Sequence, residues 1–279
     1  MSQTIEQKNS LDGFVKPGEL VDIRSGHELS LQDRRIFNLL IENAWSEIGQ
    51  DKPHRIAMNR LRGPRHRGSE RVADSVKTLM TTLVEVPTTL DGQSAIFTTQ
   101  LCGETTRMID EDSPNAVLVY EFPKGLRKII QDSRYWGRIK AYVMFAFNSK
   151  YALALYEAVC LRGNLRVNEQ RFSVDEFRAL LGVEPGKMPL FKNLKKWALD
   201  PAVVEVNGLS DFKVEIEPVR NGGQQRGRLI GFMLRWEKKT AEEWKDVCDE
   251  LMRPKVGRIA RISGKVEKVH MSTIPHVGL

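Results

Sequence analysis

The chain has 279 residues, 41% of them hydrophobic and 28% charged, with a formal net charge of +7 and a pI near 9.3. It can bury the cores of two ordinary globular domains. Because it holds no run of roughly 18 apolar residues and no N-terminal secretory signal, we expect neither a membrane span nor export. Three widely separated cysteines, Cys102, Cys160 and Cys248, argue against a disulfide framework and indicate a reducing cytoplasm.

Charge is distributed unevenly along the sequence. Residues 1–54 hold six Lys or Arg against nine Asp or Glu, whereas residues 55–71 hold six Arg against one Glu. Basic residues gathered into patches favour a polyanion as partner, and a generic solvated surface is the alternative.

The first half of the sequence predicts helices followed by a hairpin, after a flexible leader over 1–13. Ser30 and Asp33 have capping-box spacing and open a helix whose apolar residues recur at helical period as far as Ile48. Asp91-Gly92 is a hairpin turn signal. The later predicted elements are a helix over 70–83, strands over 84–90, 95–101 and 116–122, a helix over 123–131 and a strand over 138–145.

The second half predicts three helices and a hairpin more sharply. The first helix covers 149–161, and the second is opened by the capping box of Ser173 and Glu176 and ended by Gly182. The third starts at Pro189, and Asp200-Pro201 is expected to kink or restart it, because proline removes a donor and clashes with the preceding turn. The side chains expected to face inward on this helix are Leu190, Phe191, Leu194, Trp197 and Ala198.

Two alternating strands, 212–218 and 230–236, enclose a glycine-rich, cationic tip. Helices followed by a hairpin, twice in succession, predict an α+β fold of two tandem winged-helix domains with a short C-terminal helix and a basic tail. The expected divisions are a leader over 1–13, a first winged helix over 14–137, a second over 138–239, and the C-terminal helix and tail over 240–279.

The third helix of the second unit is the main candidate for DNA recognition. If its apolar side faces inward, the residues that project outward are Lys192, Asn193, Lys195 and Lys196, with Lys187 just before the helix. An α-helix fits the DNA major groove, where lysine reaches guanine acceptors and asparagine pairs with adenine. A solvated helix face is the alternative. On the hairpin, Arg220, Arg226 and Arg228 are placed to follow a phosphate backbone or enter a minor groove.

Two further groups of residues are candidates for phosphate contacts. Ser149-Lys150-Tyr151, at a helix start, offers hydroxyls, a cation and open backbone N–H groups, and the alternative is a simple N-cap with a packed tyrosine. In the first unit the basic cluster is too dense to be buried, and either holds DNA backbone or is a solvated loop. Its arginines are Arg60, Arg62, Arg65, Arg67 and Arg71.

The sequence predicts no catalytic residue, no metal site and no cofactor. The turn over 182–188 is one residue too short for a phosphate loop and lacks its Ser or Thr. The five histidines and three cysteines do not have the clustered spacing of metal ligands.

Three segments of the second unit resemble the iteron-binding plasmid replication initiators, the Rep proteins. They are Ser149-Lys150-Tyr151 through Glu157, Asp175-Glu176-Phe177 through Gly182, and Leu199-Asp200-Pro201 through Asn207. Leu29 through Arg35 is similar to the first helix of that family. The resemblance covers about residues 14 to 237 and is specific in the second unit, whereas residues 49–71 show no family motif.

The resemblance implies two tandem winged helices in a protein that binds and does not hydrolyse. The long helix of the second domain reads direct repeats (iterons) in duplex origin DNA, and the first domain supplies backbone contacts and the dimer interface. Monomers, in equilibrium with a homodimer, initiate replication, open the origin and recruit the host initiator ATPase and the replicative helicase. Dimers bind an operator inverted repeat and repress their own gene. Carried over by position, the expected contacts are Ser149, Lys150, Tyr151, Lys192, Asn193, Lys195 and Lys196.

Two other functions remain open from the sequence. A winged-helix transcription regulator without a replication role shares all of the DNA-binding features, and direct repeats beside the gene would distinguish the two. A nickase is the third, for which strand cleavage with a divalent metal would be the sign.

Overall fold

The computed structural model describes residues 3–22, 29–62, 70–111, 113–223 and 227–266. Its α-helices are Leu31–Ala44 (α1), Met58–Arg62 (α2), Glu70–Thr81 (α3), Lys124–Asp132 (α4), Ala141–Ala146 (α5), Lys150–Arg162 (α6), Val174–Leu181 (α7), Phe191–Leu194 (α8), Asp200–Leu209 (α9), Ala241–Met252 (α10) and Arg258–Ile262 (α11). Its strands are Phe14–Pro17 (β1), His54–Ala57 (β2), Leu83–Leu90 (β3), Gln93–Gln100 (β4), Thr105–Arg107 (β5), Val117–Tyr120 (β6), Trp136–Ile139 (β7), Glu169–Ser173 (β8), Phe212–Arg220 (β9) and Leu229–Lys238 (β10).

The first unit is a winged helix built on α1, α2 and α3. The capping box of Ser30 and Asp33 opens α1 as predicted, because each side chain satisfies a backbone N–H of the other. α3 leads directly into the antiparallel β3–β4 hairpin, and β2, β6 and β5 form a separate antiparallel sheet beside it. The buried faces of α1 and α3 meet in the core of this unit.

The second unit repeats the plan with α6, α7 and a long third helix, followed by the β9–β10 hairpin, which is the wing. The third helix consists of α8, a π-helical turn over Lys195–Leu199, and α9. Ser173 and Glu176 form the predicted capping box of α7, and Gly182 ends that helix in the left-handed conformation, at φ 70°. The strand β8, absent from the sequence prediction, pairs with β10 and completes a three-stranded sheet in the order β8-β10-β9. Phe177 and Phe232 stack at 4.9 Å between helix and sheet.

Buried charges join the two units. Glu157 on α6 accepts from Lys16 of β1 at 2.9 Å and from Asn38 of α1 at 2.6 Å, and all three side chains are buried. Arg34 lies 3.8 Å from the same carboxylate. Its guanidinium also occupies the space that a Cβ on Gly182 would need, so a larger residue there would displace Arg34 as well as strain the left-handed backbone.

The structure corrects two predictions, one about the junction between the units and one about the N-terminal leader. Residues 138–145 are not one strand, because β7 ends at Ile139 after pairing with β1 and the chain turns into α5, which buries Val143 and Met144. The flexible leader is wrong for residues 3–13: Thr4 is buried, and its N–H donates to the Ser133 carbonyl at 2.9 Å.

The segment after β10 is also more ordered than a tail. Thr240 and Glu243 form the predicted capping box of α10. Within residues 253–266, α11 packs against α9, and the buried Arg258 lies 3.7 Å from the equally buried Glu250. Residues 267–279 of the predicted basic tail lie outside the described residues.

Candidate nucleic-acid interface

The third helix of the second unit presents its cationic side outward, as predicted. Phe191, Leu194 and Ala198 lie on the core side, where the Phe191 ring is 6.1 Å from that of Phe232. With that side fixed, Lys192, Lys195 and Lys196 are exposed and Asn193 is half-buried. These are the side chains available to a ligand that approaches this helix.

The three lysines are not equivalent. Lys195 is paired with Asp200 at 2.5 Å, so part of its charge is neutralised within the helix. The ammonium of Lys196 lies 4.6 Å from the ring centroid of Trp197, a cation–π contact. For Lys192 the structure shows neither kind of contact among its described neighbours. The positive charges of Lys192 and Lys196 are therefore more available to a bound ligand than that of Lys195.

Two apolar residues of this helix do not face inward, contrary to the prediction. Leu190 is 65% exposed because it is the N-cap, with extended backbone, and stands outside the helical face. Trp197 is 60% exposed because residues Lys195–Leu199 are π-helical, which shifts Trp197 away from the core side. The kink or restart expected at Asp200-Pro201 is thus a π-helical turn immediately before these residues.

The start of α6 is already occupied by protein groups. Ser149 is the N-cap and accepts from the Tyr151 N–H at 3.2 Å, as its N-cap interpretation predicts. The carboxylate of Glu205, on α9, accepts from the N–H groups of Asn148 and Ser149 at 2.6 and 3.4 Å. Most of the open N–H groups expected here are thus satisfied internally, and a phosphate at this position depends on the side chains.

Folding brings Lys150, Tyr151 and Lys187 together from two separate segments. Burial lowers the pKa of Lys150, and the positive charge of Lys187 lowers it further. Lys150 lies 5.0 Å from the ring centroid of Tyr151. The turn that carries Lys187 is held by Arg178, whose guanidinium donates to the Met188 carbonyl at 3.1 Å. Of this cationic group Lys187 lies just before the third helix along the chain, and Glu184 offsets part of its charge in an ion pair at 2.7 Å.

The wing is connected to the same end of the third helix. Arg220 donates to the Gly227 carbonyl at 2.8 Å, and its guanidinium lies 5.4 Å from the ring centroid of Phe191. Arg220 therefore holds the wing against the third helix, in addition to being a candidate for DNA contact. Arg228 is exposed at the wing, and Arg226 lies outside the described residues.

The arginine cluster of the first unit is only partly described. Arg60 is exposed, near Asn43 and Glu42, whereas Arg62 donates to the Glu111 carbonyl and is held against the protein. Arg65 and Arg67 lie outside the described residues, as does the side chain of Arg71. A solvated loop is thus wrong for Arg62.

Within the described ranges, His, Cys, Asp and Glu side chains form no group of three or more that could hold a metal ion. None of the described helices combines the length and apolarity needed to cross a bilayer.

Models of two protein domains match most of the sequence. The first winged helix of the Initiator Replication protein family matches residues 14–160, and the second winged helix of the Initiator Rep protein matches residues 173–233. This chain belongs to the initiator replication protein family. The prediction of two tandem winged helices is confirmed, whereas the division between residues 137 and 138 stays a prediction.

A solved structure shares the fold of this initiator replication protein. The Pi initiator protein, in complex with iteron DNA, matches with a TM-score of 0.57 and 14% identity, over 84% of this chain and 100% of that chain. Domains 2 and 3 of RctB match with a TM-score of 0.44 and 7% identity, over 80% of this chain and 85% of that one. No curated protein matches the sequence significantly.

In this initiator only some of the sequence-predicted contacts are grouped. Lys192, Asn193 and Lys196 lie on the third helix, and Lys150, Tyr151 and Lys187 form a second cationic group. Sequence reasoning missed Trp197, because its spacing fits an α-helical core position, and Glu205, because nothing in the sequence links it to residue 149.

Proposed function

We propose that this initiator replication protein starts plasmid replication by binding iterons in duplex DNA through its second winged helix. The outward cationic side of the third helix carries the proposal. An α-helix fits the major groove, where Lys192 and Lys196 can reach guanine O6 and N7 and Asn193 can pair with adenine.

The surrounding cations support the same assignment. Lys150 and Lys187 precede the helix, and the exposed Arg228 follows on a wing that Arg220 braces against it. Phosphate contacts of this kind fix the register of a helix in the groove while base contacts give specificity. The likeness to the Pi initiator protein, whose structure contains iteron DNA, is consistent with this arrangement.

The wider proposal follows from family membership. The protein opens the origin, recruits the host initiator ATPase and replicative helicase, and represses its own gene as a homodimer in equilibrium with the monomer. It acts in the cytoplasm by binding and without catalysis. The first winged helix supplies the dimer interface and contacts to the DNA backbone, with Arg60 as its exposed cation.

A nuclease footprint of the full-length protein on the DNA around its own gene tests this proposal. We expect protection of several direct repeats, each covering about two helical turns, or roughly 20 base pairs. Protection confined to a single inverted repeat at the promoter would favour a transcription regulator instead. A footprint that covers no discrete sequence would overturn the proposal.

A further inference from the structure

Trp197 places a large aromatic ring on the exposed side of the third helix. The side chain is 60% exposed, although tryptophan buries more apolar surface than any other residue when it faces a core. Asn193, four residues earlier and half-buried, also lies toward the outward side, so the two side chains are neighbours there. The ammonium of Lys196, 4.6 Å from the ring centroid, covers part of the ring and keeps a cation beside it.

Pro201 explains why the ring faces outward. Proline has no N–H to give the carbonyl four residues earlier, and its ring clashes with that carbonyl, which here belongs to Trp197. The helix responds by widening: Lys195–Leu199 is π-helical, and the Asp200 N–H bonds to the Lys195 carbonyl, five residues back. In a π-helical turn each residue rotates about the helix axis by a smaller angle than in an α-helix. Trp197 is therefore rotated away from the core side, where α-helical spacing would place it.

The floor of the major groove offers one apolar group to such a ring. Of the four bases only thymine presents a methyl group there, whereas the other base edges present hydrogen-bond donors and acceptors. Side chains one turn apart have Cβ atoms about 5–6 Å apart, which is one to two base steps of about 3.4 Å. Asn193 and Trp197 therefore suit neighbouring A·T pairs, with the amide on adenine and the ring on a methyl.

We propose that Trp197 is a specificity-determining residue that packs on the 5-methyl group of a thymine in the bound repeat, an inference that rests on the proposed DNA binding by this helix. Lys196 beside it holds the helix near guanine acceptors or phosphate. The affinity of the protein then depends on a methyl group at one base position.

The test removes the methyl group from the DNA without changing the protein. Duplexes that bind the full-length protein are selected from a random pool, and each thymine of the selected site is then replaced singly by deoxyuridine. We expect the replacement to weaken binding about fourfold at one or two positions, the contribution of roughly one buried methyl-sized group.

The protein side of the test uses three variants. Trp197→Ala should bind the selected duplex at least about fourfold more weakly and should no longer distinguish thymine from deoxyuridine at that position. Trp197→Phe should keep the distinction, because it keeps an apolar ring. Tyr142→Ala, which removes an exposed aromatic side chain from α5, is the matched control and should change neither quantity.

The outcomes separate the inference from the proposed function. If the selection enriches no sequence, the proposed function fails. If a site is selected but every deoxyuridine duplex binds the wild-type protein equally, the inference is overturned while the function stands. The inference is also overturned if Trp197→Ala keeps the full penalty for deoxyuridine, or loses the same factor on every duplex.

Discussion

The two winged helices of this initiator share an architecture but differ in surface chemistry. In the first, α3 carries two acidic and two basic residues and thus no net charge, whereas residues 191–199 of the second carry three lysines and no acid. The first hairpin exposes Leu90 and Ile96, while the tip of the second, over 220–228, holds three arginines and no acid. The same fold therefore serves different surfaces, and the cationic one is the candidate for reading DNA.

The two units also share a buried joint, in which Glu157 binds Lys16 and Asn38. Disrupting it should give the largest of the predicted changes, a loss of stability. Glu157→Gln leaves Lys16 buried without its counter-charge, and the expected loss is about 3–5 kcal/mol in the free energy of unfolding, measured with denaturant. Burial already lowers the pKa of Lys16, against the opposing pull of Glu157. In the variant Lys16 sheds its proton more easily, so the lost stability should partly return as pH rises.

The matched control replaces both partners. Lys16→Met with Glu157→Leu removes the buried ammonium together with its counter-charge. Only Arg34, whose side chain is 14% exposed, then loses a carboxylate neighbour, so this variant should lose less stability than Glu157→Gln. Equal losses in the two variants would contradict a role for the charge pair in joining the units.

The second prediction compares the third helices directly. Lys192→Ala should weaken binding to the selected duplex by about 1–3 kcal/mol, because it removes a base contact. Lys77→Ala, an exposed lysine on α3, should change it by much less, since that helix has no net cationic side. Titration of labelled duplex measures both. A larger effect at Lys77 would assign DNA reading to the first unit.

Removing a cation from the wing should have a smaller effect on DNA affinity, and one that depends less on the DNA sequence. Arg228→Ala should weaken binding to specific and random duplexes alike, and should reduce the slope of log affinity against log salt by about 0.9 for each phosphate that Arg228 neutralises in the wild type. A weaker affinity for the selected sequence alone would instead place Arg228 on a base edge.

The smallest predicted effect is a pH dependence of stability, and it arises at the contact between Glu205 of α9 and the start of α6. Burial raises the pKa of Glu205, although the N–H groups of Asn148 and Ser149 oppose the rise. A raised pKa means that the folded protein holds this proton more tightly than the unfolded chain. The contribution of Glu205 to stability is therefore present below the carboxyl's ordinary pKa and is lost as pH rises through its raised value.

Glu205→Gln, which keeps an acceptor and carries no charge, should abolish that loss. Its stability relative to wild type should rise between acidic and neutral pH, as measured by unfolding at several pH values. A relative stability that falls over this interval would show that the ionised carboxylate is the favoured form.

Local rules recovered most of the fold from the sequence. Ser30, Ser173 and Thr240 each begin a helix where capping-box spacing places it, and the strand alternation of the wing is correct apart from Ile230, which a bulge exposes. These features depend on residues only a few positions apart, so they can be identified without tertiary information.

The elements that were missed depend on distant partners. β1 and β8 are short strands that exist because β7 and β10 pair with them. Trp197 was misplaced because the π-helical turn before Pro201 breaks the period on which the prediction relied. At the candidate interface the outward lysines followed from the helical period, whereas Glu205 and the grouping of Lys150 with Lys187 required the tertiary structure.

Methylation interference on the selected duplex tests most directly whether the third helix lies in the major groove. Guanine N7 faces that groove, so methylation there should block wild-type binding at discrete positions. We expect one of these positions to become insensitive in Lys192→Ala or Lys196→Ala while the others stay sensitive. Interference that is identical in both variants and the wild type, or absent from guanine N7 altogether, would contradict the account.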